Sequence, residues 1–191
     1  MPRRSYRQYC AFARALDVLG DRWSLLIIRN LLLGPQSWSE LRAALPGVAK
    51  NLLSERLKHL VADGILTHEA PLYALSDRGR ELEPVVFAIA DWGERHLMGP
   101  PEEGEAMRLR YLMTSLKRRI RPTKGEATLQ LKLAGEAFWF RFGADPEVTQ
   151  GERPAAHVWE PTLGELRQAI FVGGEGLSPE GQLLGEAVGR G

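Results

Sequence analysis

Apolar positions along this chain follow a helical period in its first half, and an alternating period dominates its second. Residues 11–20 and 22–33 read as two helical segments, the second with Trp23, Leu26, Ile27 and Leu31 on one apolar face, and Gly34-Pro35 ends it. Ser37 with Glu40 three residues on predicts a capped helix start. That helix stops at Leu45-Pro46-Gly47, because the residue before a proline disfavours the α region. A further helix is predicted over about 48–63, with Leu53, Leu57, Leu60 and Val61 in line and Gly64 suited to a left-handed cap. Residues 65–67 and 72–75 read as two short strands. One longer helix is predicted over 77–97, carrying Leu82, Val85, Val86, Ile89, Trp92 and Leu97, with Pro84 in its first two turns, where a missing N–H is tolerated best. This stripe is wider than one small domain needs, so a partner's helix would cover the surplus.

Residues 98–105 hold two Pro, two Gly and three Glu and read as a linker. Residues 105–119 are helical by pattern, with Leu109, Leu112, Met113 and Leu116 aligned. Residues 128–133 then alternate strictly, Gly135-Glu136 turns the chain, and Phe138, Phe140 and Phe142 alternate with Trp139 and Arg141 on the return strand. Residues 148–149 and 156–159 offer two more strands. Thr162 and Glu165 form a capping box that opens a helix through Ile170, and Gly173, Gly174 and Gly176 precede a final short segment.

The predicted fold class is α+β: a winged helix-turn-helix domain over 1–98, a linker over 99–105, and a smaller α/β domain with an antiparallel sheet over 106–191. Helix, turn, helix and hairpin in that order usually read duplex DNA. On the second helix of the motif the leucines face inward, which leaves Lys50, Asn51, Ser54, Glu55 and Lys58 outward. Lys50, Asn51 and Ser54 are expected to reach base edges, since the N-terminal part of a recognition helix enters the groove. Asn can bind adenine bidentately and Lys can reach guanine acceptors. Lys58, with Ser37, Ser39 and Arg42 on the preceding helix, is expected to meet phosphates. A solvated polar face has a similar composition.

Charge sharpens this picture. The formal net charge is only +1, but residues 1–60 carry ten Lys/Arg against four Asp/Glu, and residues 61–99 three against seven. The positive excess lies in the half with the helix-turn-helix, as phosphate binding requires.

Several spaced motifs, at Cys10, 15–28 (Ala-Leu-Asp-Val-Leu-Gly-Asp-Arg-Trp-Ser-Leu-Leu-Ile-Ile), Leu41-Arg42, 53–57 (Leu-Ser-Glu-Arg-Leu), Asp63-Gly64 and 75–79 (Leu-Ser-Asp-Arg-Gly), resemble the HxlR-type transcriptional regulators, relatives of the MarR regulators. The likeness spans about residues 7–98. It implies a cytoplasmic homodimer, built from the terminal helices, that binds pseudo-palindromic double-stranded DNA. It also implies a DNA contact for Arg56, whose alternative is a surface ion pair with Glu40 or Asp63. Two departures stand out. The hairpin tip runs Thr67-His68-Glu69-Ala70-Pro71 without Lys or Arg, where the family has a longer basic tip, and Ala49 stands where the family commonly has a capping Ser. Both lower the expected affinity and keep open a carrier or sensor of apolar ligands that has lost DNA binding.

The order of elements after residue 105 resembles the sterol-carrier-protein-like fold, with no residue motif. That likeness implies an apolar small molecule held by Leu129, Leu131, Phe138, Phe140, Phe142, Leu166 and Ile170. A solid core has the same composition.

The remaining chemistry is sparse. A chain of 191 residues, 44% hydrophobic and 26% charged, can bury a real core. One cysteine excludes an internal disulfide and fits a reducing compartment. Cys10 stands where some family members carry a redox sensor, and Arg7 and Arg14 on the same helix could lower its pKa; the alternative is a small buried hydrophobe. There is no run of 18 apolar residues, and residues 1–5 are not followed by a signal-peptide core, so no membrane association is expected. His59, His68, His96 and His157 are scattered, which argues against a catalytic or metal site and against an enzyme. The glycines at 173, 174 and 176 lack a following Lys-Ser/Thr, so no phosphate loop and no cofactor are expected.

Overall fold

The computed structural model describes residues 5–99 and 108–188, in two compact units, 1–108 and 109–191. Most of the 98–105 linker and the expected helix start at 105–107 lie outside the described residues.

The first unit begins with α1 (Ala11–Leu19) and α2 (Ser24–Leu31). Its second helix starts later than the pattern suggested because Trp23 takes a left-handed conformation (φ 83°) at the cap. The buried face of α2 is therefore carried by Ile27, Ile28 and Leu31, and Leu26 is exposed. Strand β1 (Gln36–Ser37), not expected from the sequence, leads into α3 (Trp38–Ala44). Ser37 and Glu40 form the expected capping box: the Glu40 N–H donates to the Ser37 hydroxyl, and the Ser37 N–H donates to the Glu40 carboxylate at 2.7 Å. Helix α4 (Lys50–Ala62) starts at Ala49, with no side-chain cap. It ends in a Schellman motif: Gly64 has φ 70°, its N–H donates to the Val61 carbonyl, and the Ile65 N–H donates to Leu60.

Strands β2 (Leu66–Glu69) and β3 (Leu72–Leu75) form the hairpin, and β1 pairs on the other side of β3. Glu69 pairs with Leu72, so the tip is Ala70-Pro71 alone, with a cis peptide bond. The expected helix over 77–97 is two pieces, α5 (Asp77–Arg80) and α6 (Glu83–Leu97). Pro84 explains the break: it has no N–H to offer the Arg80 carbonyl, and its ring would strike that carbonyl in a continuous helix. The core gathers Ile27, Ile28, Leu31, Leu41, Leu45, Leu53, Leu57, Leu60 and Val86, with the strands' Leu66 and Leu75.

The second unit contains α7 (Leu109–Arg119), β4 (Ala127–Leu133), β5 (Glu136–Phe142), β6 (Glu147–Gln150), β7 (His157–Trp159), α8 (Leu163–Phe171) and α9 (Pro179–Val188). The hairpin turns on Ala134-Gly135 rather than Gly135-Glu136. Both residues have positive φ (52° and 77°), the two-residue geometry that matches strand twist. The sheet order is β6-β5-β4-β7. Three strands are antiparallel as expected, but β7 lies parallel to β4, with Leu131 beside Trp159, so the sheet is mixed.

Leu129 faces Phe140 and Leu131 faces Phe138 across the hairpin, and all four are fully buried. The opposite sheet face is covered by residues 151–156. There the Gln130 amide donates to the Phe138 and Gly151 carbonyls and accepts the Arg153 N–H, and the Trp139 indole donates to Pro154. Helix α8 has its expected capping box, and the hydrogen bonds from Thr162 hold the Glu165 carboxyl below the ordinary range. Its partner α9 was expected only as a short segment. The Gly-rich chain before α9 is there for contact: a Cβ on Gly174 would stand 2.3 Å from Gln182 Cα, and one on Gly185 2.3 Å from the Gly174 nitrogen.

Candidate nucleic-acid interface

In α4 the side chains of Leu53, Leu57 and Leu60 are 0–1% exposed, which fixes the helix's rotation. The opposite side then presents Lys50, Asn51, Ser54 and Lys58, all exposed, with Glu55 half-buried beside them. These are residues spaced by three and four, one face of a helix.

The two helices of the motif are tied by a bond not foreseen from the sequence. The Trp38 indole N–H at the start of α3 donates to the Ser54 hydroxyl of α4 at 3.1 Å. Ser54 keeps its own O–H donor, so this contact orients the hydroxyl without exhausting it. The Ser37 hydroxyl is engaged by the capping box, donating to Glu40 at 2.7 Å, and lies 3.0 Å from the Ser39 hydroxyl. Ser39 is exposed and Arg42 half-buried.

Arg56 is placed differently from its α4 neighbours. Its side chain is 15% exposed, and Nη1 lies 2.5 Å from an Asp21 carboxylate oxygen in the turn between α1 and α2. The ion-pair partner is thus Asp21, not Glu40 or Asp63. Leucine spacing on α4 can tell that Arg56 borders the buried face, but only the folded chain brings Asp21 there.

The hairpin is held to the end of α4 through Ser76. Its hydroxyl donates to the Gly64 carbonyl at 2.6 Å and accepts the Gly79 N–H at 3.0 Å, while the Arg78 guanidinium donates to the Asp63 carbonyl at 3.1 Å. His68 and Tyr73, opposite each other in register, stack with centroids 4.1 Å apart. The wing carries no Lys or Arg from Leu66 to Leu75.

Cys10 is exposed, at the cap position just before α1, which corrects its reading as a small buried hydrophobe. Arg7 lies outside the helix with φ 52°, and the Arg14 guanidinium sits 5.0 Å from the centre of the Tyr9 ring. Several large apolar side chains are exposed in the first unit: Tyr9 just before α1, Phe12 on α1, and Val85, Ile89 and Trp92 on α6. In the second unit, Leu129, Leu131, Phe138, Phe140, Phe142, Leu166 and Ile170 are brought together at 0–3% exposure. A depression among the described residues is lined by Gly164, Arg167, Gln168 and Val172, and by none of these seven side chains. Among the described residues no group of His, Cys, Asp or Glu is placed to hold a metal, and no helix is long and apolar enough to cross a membrane.

Comparison with known proteins points to one family. The model of the HxlR-like helix-turn-helix family matches residues 18–100. An uncharacterized HTH-type transcriptional regulator of Bacillus subtilis, YvaP, is 41% identical over 88 residues, covering 42% of this chain and 82% of the relative. Another, sll1512 of Synechocystis, is 35% identical over 97 residues, covering 45% of this chain and 72% of the relative. The solved quinone-bound YodB of B. subtilis is 31% identical, covering 44% of this chain and 96% of that one, with a TM-score of 0.42. Residues beyond 100 lie outside the family match. A helix-turn-helix within the 18–100 span of the family model, together with a 41% identical relative covered over 82% of its length, makes this chain a transcriptional regulator that belongs to the HxlR-like helix-turn-helix family.

Proposed function

We propose that the protein binds duplex DNA as a two-fold homodimer and reads a pseudo-palindromic operator with α4. The observation that carries this is the exposed Lys50–Asn51–Ser54–Lys58 face on a helix whose other side is locked into the core. Lys50, Asn51 and Ser54 read bases in the major groove; Lys58, Ser39 and Arg42 meet phosphates, and Ser37 serves as the cap that orients them. The exposed apolar residues Phe12 on α1 and Val85, Ile89 and Trp92 on α6 support the dimer, because large apolar side chains left uncovered at helical spacing suit a partner's helix. Two recognition helices would then lie about 34 Å apart, one turn of duplex. As a non-enzymatic regulator of DNA, the protein works in the cytoplasm. In the second unit, the full burial of the phenylalanine and leucine faces supports a structural core over a site for an apolar effector.

Gel-shift titration against the DNA upstream of the protein's own gene tests this. Asn51→Ala should cost roughly 1–3 kcal/mol at one base position and relax preference there. Unchanged affinity together with unchanged preference rules out the base-reading role. Lys58→Ala should weaken binding to operator and random duplex alike, and flatten the plot of log affinity against log salt by about 0.9. A loss confined to the operator would instead place Lys58 on a base.

A further inference from the structure

Arg56 sits on the DNA-reading helix yet its charge is spent inside the protein. Its Nη1 is 2.5 Å from Asp21 and 3.4 Å from His59 Nδ1, and the side chain is 15% exposed. Lys58, two residues on, is exposed with no ion pair among the described contacts. The Asp21 side chain is 46% exposed, so the pair is closed on the Arg56 side alone; a phosphate could take Arg56 only by breaking the pair, which would leave the Asp21 carboxylate without its partner.

Asp21 is itself in a constrained place. It lies between the α1 end at Gly20 and Trp23, whose backbone is left-handed at φ 83°, and its carbonyl accepts the Ser24 N–H that starts α2. One turn earlier, Asp17 on α1 anchors the preceding chain: the Ser5 hydroxyl and the Tyr6 N–H donate to its carboxylate at 2.8 and 2.9 Å. The α1–α2 turn is thus a fixed point to which α4 is fastened by one charged bond near its middle.

We propose that Arg56 is a positioning residue rather than a DNA contact: its ion pair with Asp21 sets the tilt of α4 against the α1–α2 turn, and thereby the fit of Lys50, Asn51 and Ser54 to the groove. The inference rests on the reading of α4 as the DNA-binding helix. It makes Asp21, which touches no DNA, a determinant of sequence preference. Because α1, which leads into that turn, also carries the exposed Phe12, the pair links the proposed dimer surface to the reading helix.

The test uses the full chain, an operator duplex and a random duplex over a salt series, with wild type, Arg56→Gln, Asp21→Asn, Arg56→Lys and the charge exchange Asp21→Arg with Arg56→Asp. Arg56→Gln and Asp21→Asn should each weaken operator binding about tenfold, and together no more than either alone, since they break one interaction. Random-duplex affinity and the salt slope should stay at wild-type values, and the charge exchange should recover most of the loss. If Arg56→Gln flattens the slope by about 0.9 and weakens random duplex equally, Arg56 contacts phosphate and the proposal fails. It fails also if Asp21→Asn has no effect, or if the variants melt earlier while the operator-to-random ratio of the folded protein is unchanged. Should Arg56→Gln not fold, Asp21→Asn and Arg56→Lys decide, the first expected to weaken operator binding and the second to keep it. Wild-type protein that binds neither duplex overturns the DNA-binding reading as well, whereas wild-type binding with unaffected variants overturns the positioning role alone.

Discussion

Phe140→Ala should destabilise the second unit by about 3–5 kcal/mol, the cost of emptying a fully buried phenylalanine site whose walls cannot collapse. Phe140 is 0% exposed, pairs with Leu129 on one side and Val148 on the other, and stacks on Phe142 with centroids 6.1 Å apart and planes 12° from parallel. Its strand is central in the sheet, and the far face of that sheet is already closed by the 151–156 segment, so little can move in. Chemical denaturation with hydrogen exchange at the β4–β5 amides measures the loss. A cost below about 1 kcal/mol would mean that the ring borders open space, since the cavity contribution would then be missing. That result would revive the apolar-effector reading. A full loss, with operator binding by the first unit retained, fits a second unit whose sheet face is core.

The second large effect is at Gly79. Local propensity alone would make Gly79→Ala stabilising by about 1 kcal/mol, because Gly79 lies in a helical turn and alanine is the better helix former. The contact reverses the sign. A Cβ there would stand 2.1 Å from the Ile65 carbonyl oxygen and 3.2 Å from a Leu75 methyl. The obstruction is backbone, so the α5 turn must back away from the strand start and lose the Gly79 N–H to Ser76 hydroxyl bond. Overpacking of this kind costs about 1–3 kcal/mol, and the strained bond adds to it. Thermal melting should show a lower midpoint for the first unit, with weaker DNA binding, because Ser76 ties the wing to the end of α4. Gly164→Ala gives the contrast: that exposed glycine on α8 meets nothing closer than 3.8 Å, so the substitution should be neutral or stabilising by up to about 1 kcal/mol. A stable Gly79→Ala protein would show that α5 can shift freely against the hairpin.

Much of the fold was legible because its causes are local. The Ser37–Glu40 and Thr162–Glu165 boxes start helices wherever they stand, since donor and acceptor lie within one turn. Leu53, Leu57 and Leu60 could be assigned to the core from spacing alone, and with them the outward set on α4. The alternation of Phe138, Phe140 and Phe142 put the rings on one face with the leucines of β4, because a slip of one residue would turn every ring to the wrong face, whereas the pairing of Leu131 with Phe138 was set by the turn at Ala134-Gly135. The departures at Ala49 and at the wing tip were visible too, as missing hydrogen-bonding or charged side chains.

Tertiary structure decided what depends on residues far apart in the chain. No local pattern pairs Asp21 with Arg56 or Trp38 with Ser54, since each contact forms only when helices pack. The parallel placement of β7 beside β4 depends on a crossover, not on the four or so residues that make the strand. Glycines were the least legible residues. Gly79, Gly174 and Gly185 resemble any other glycine in the sequence, and their role is the absence of an atom where another backbone passes. Composition showed that the second half has enough aromatic and aliphatic side chains for a core or a pocket. Only their burial against one another, set by the sheet and the segments covering it, favoured the core.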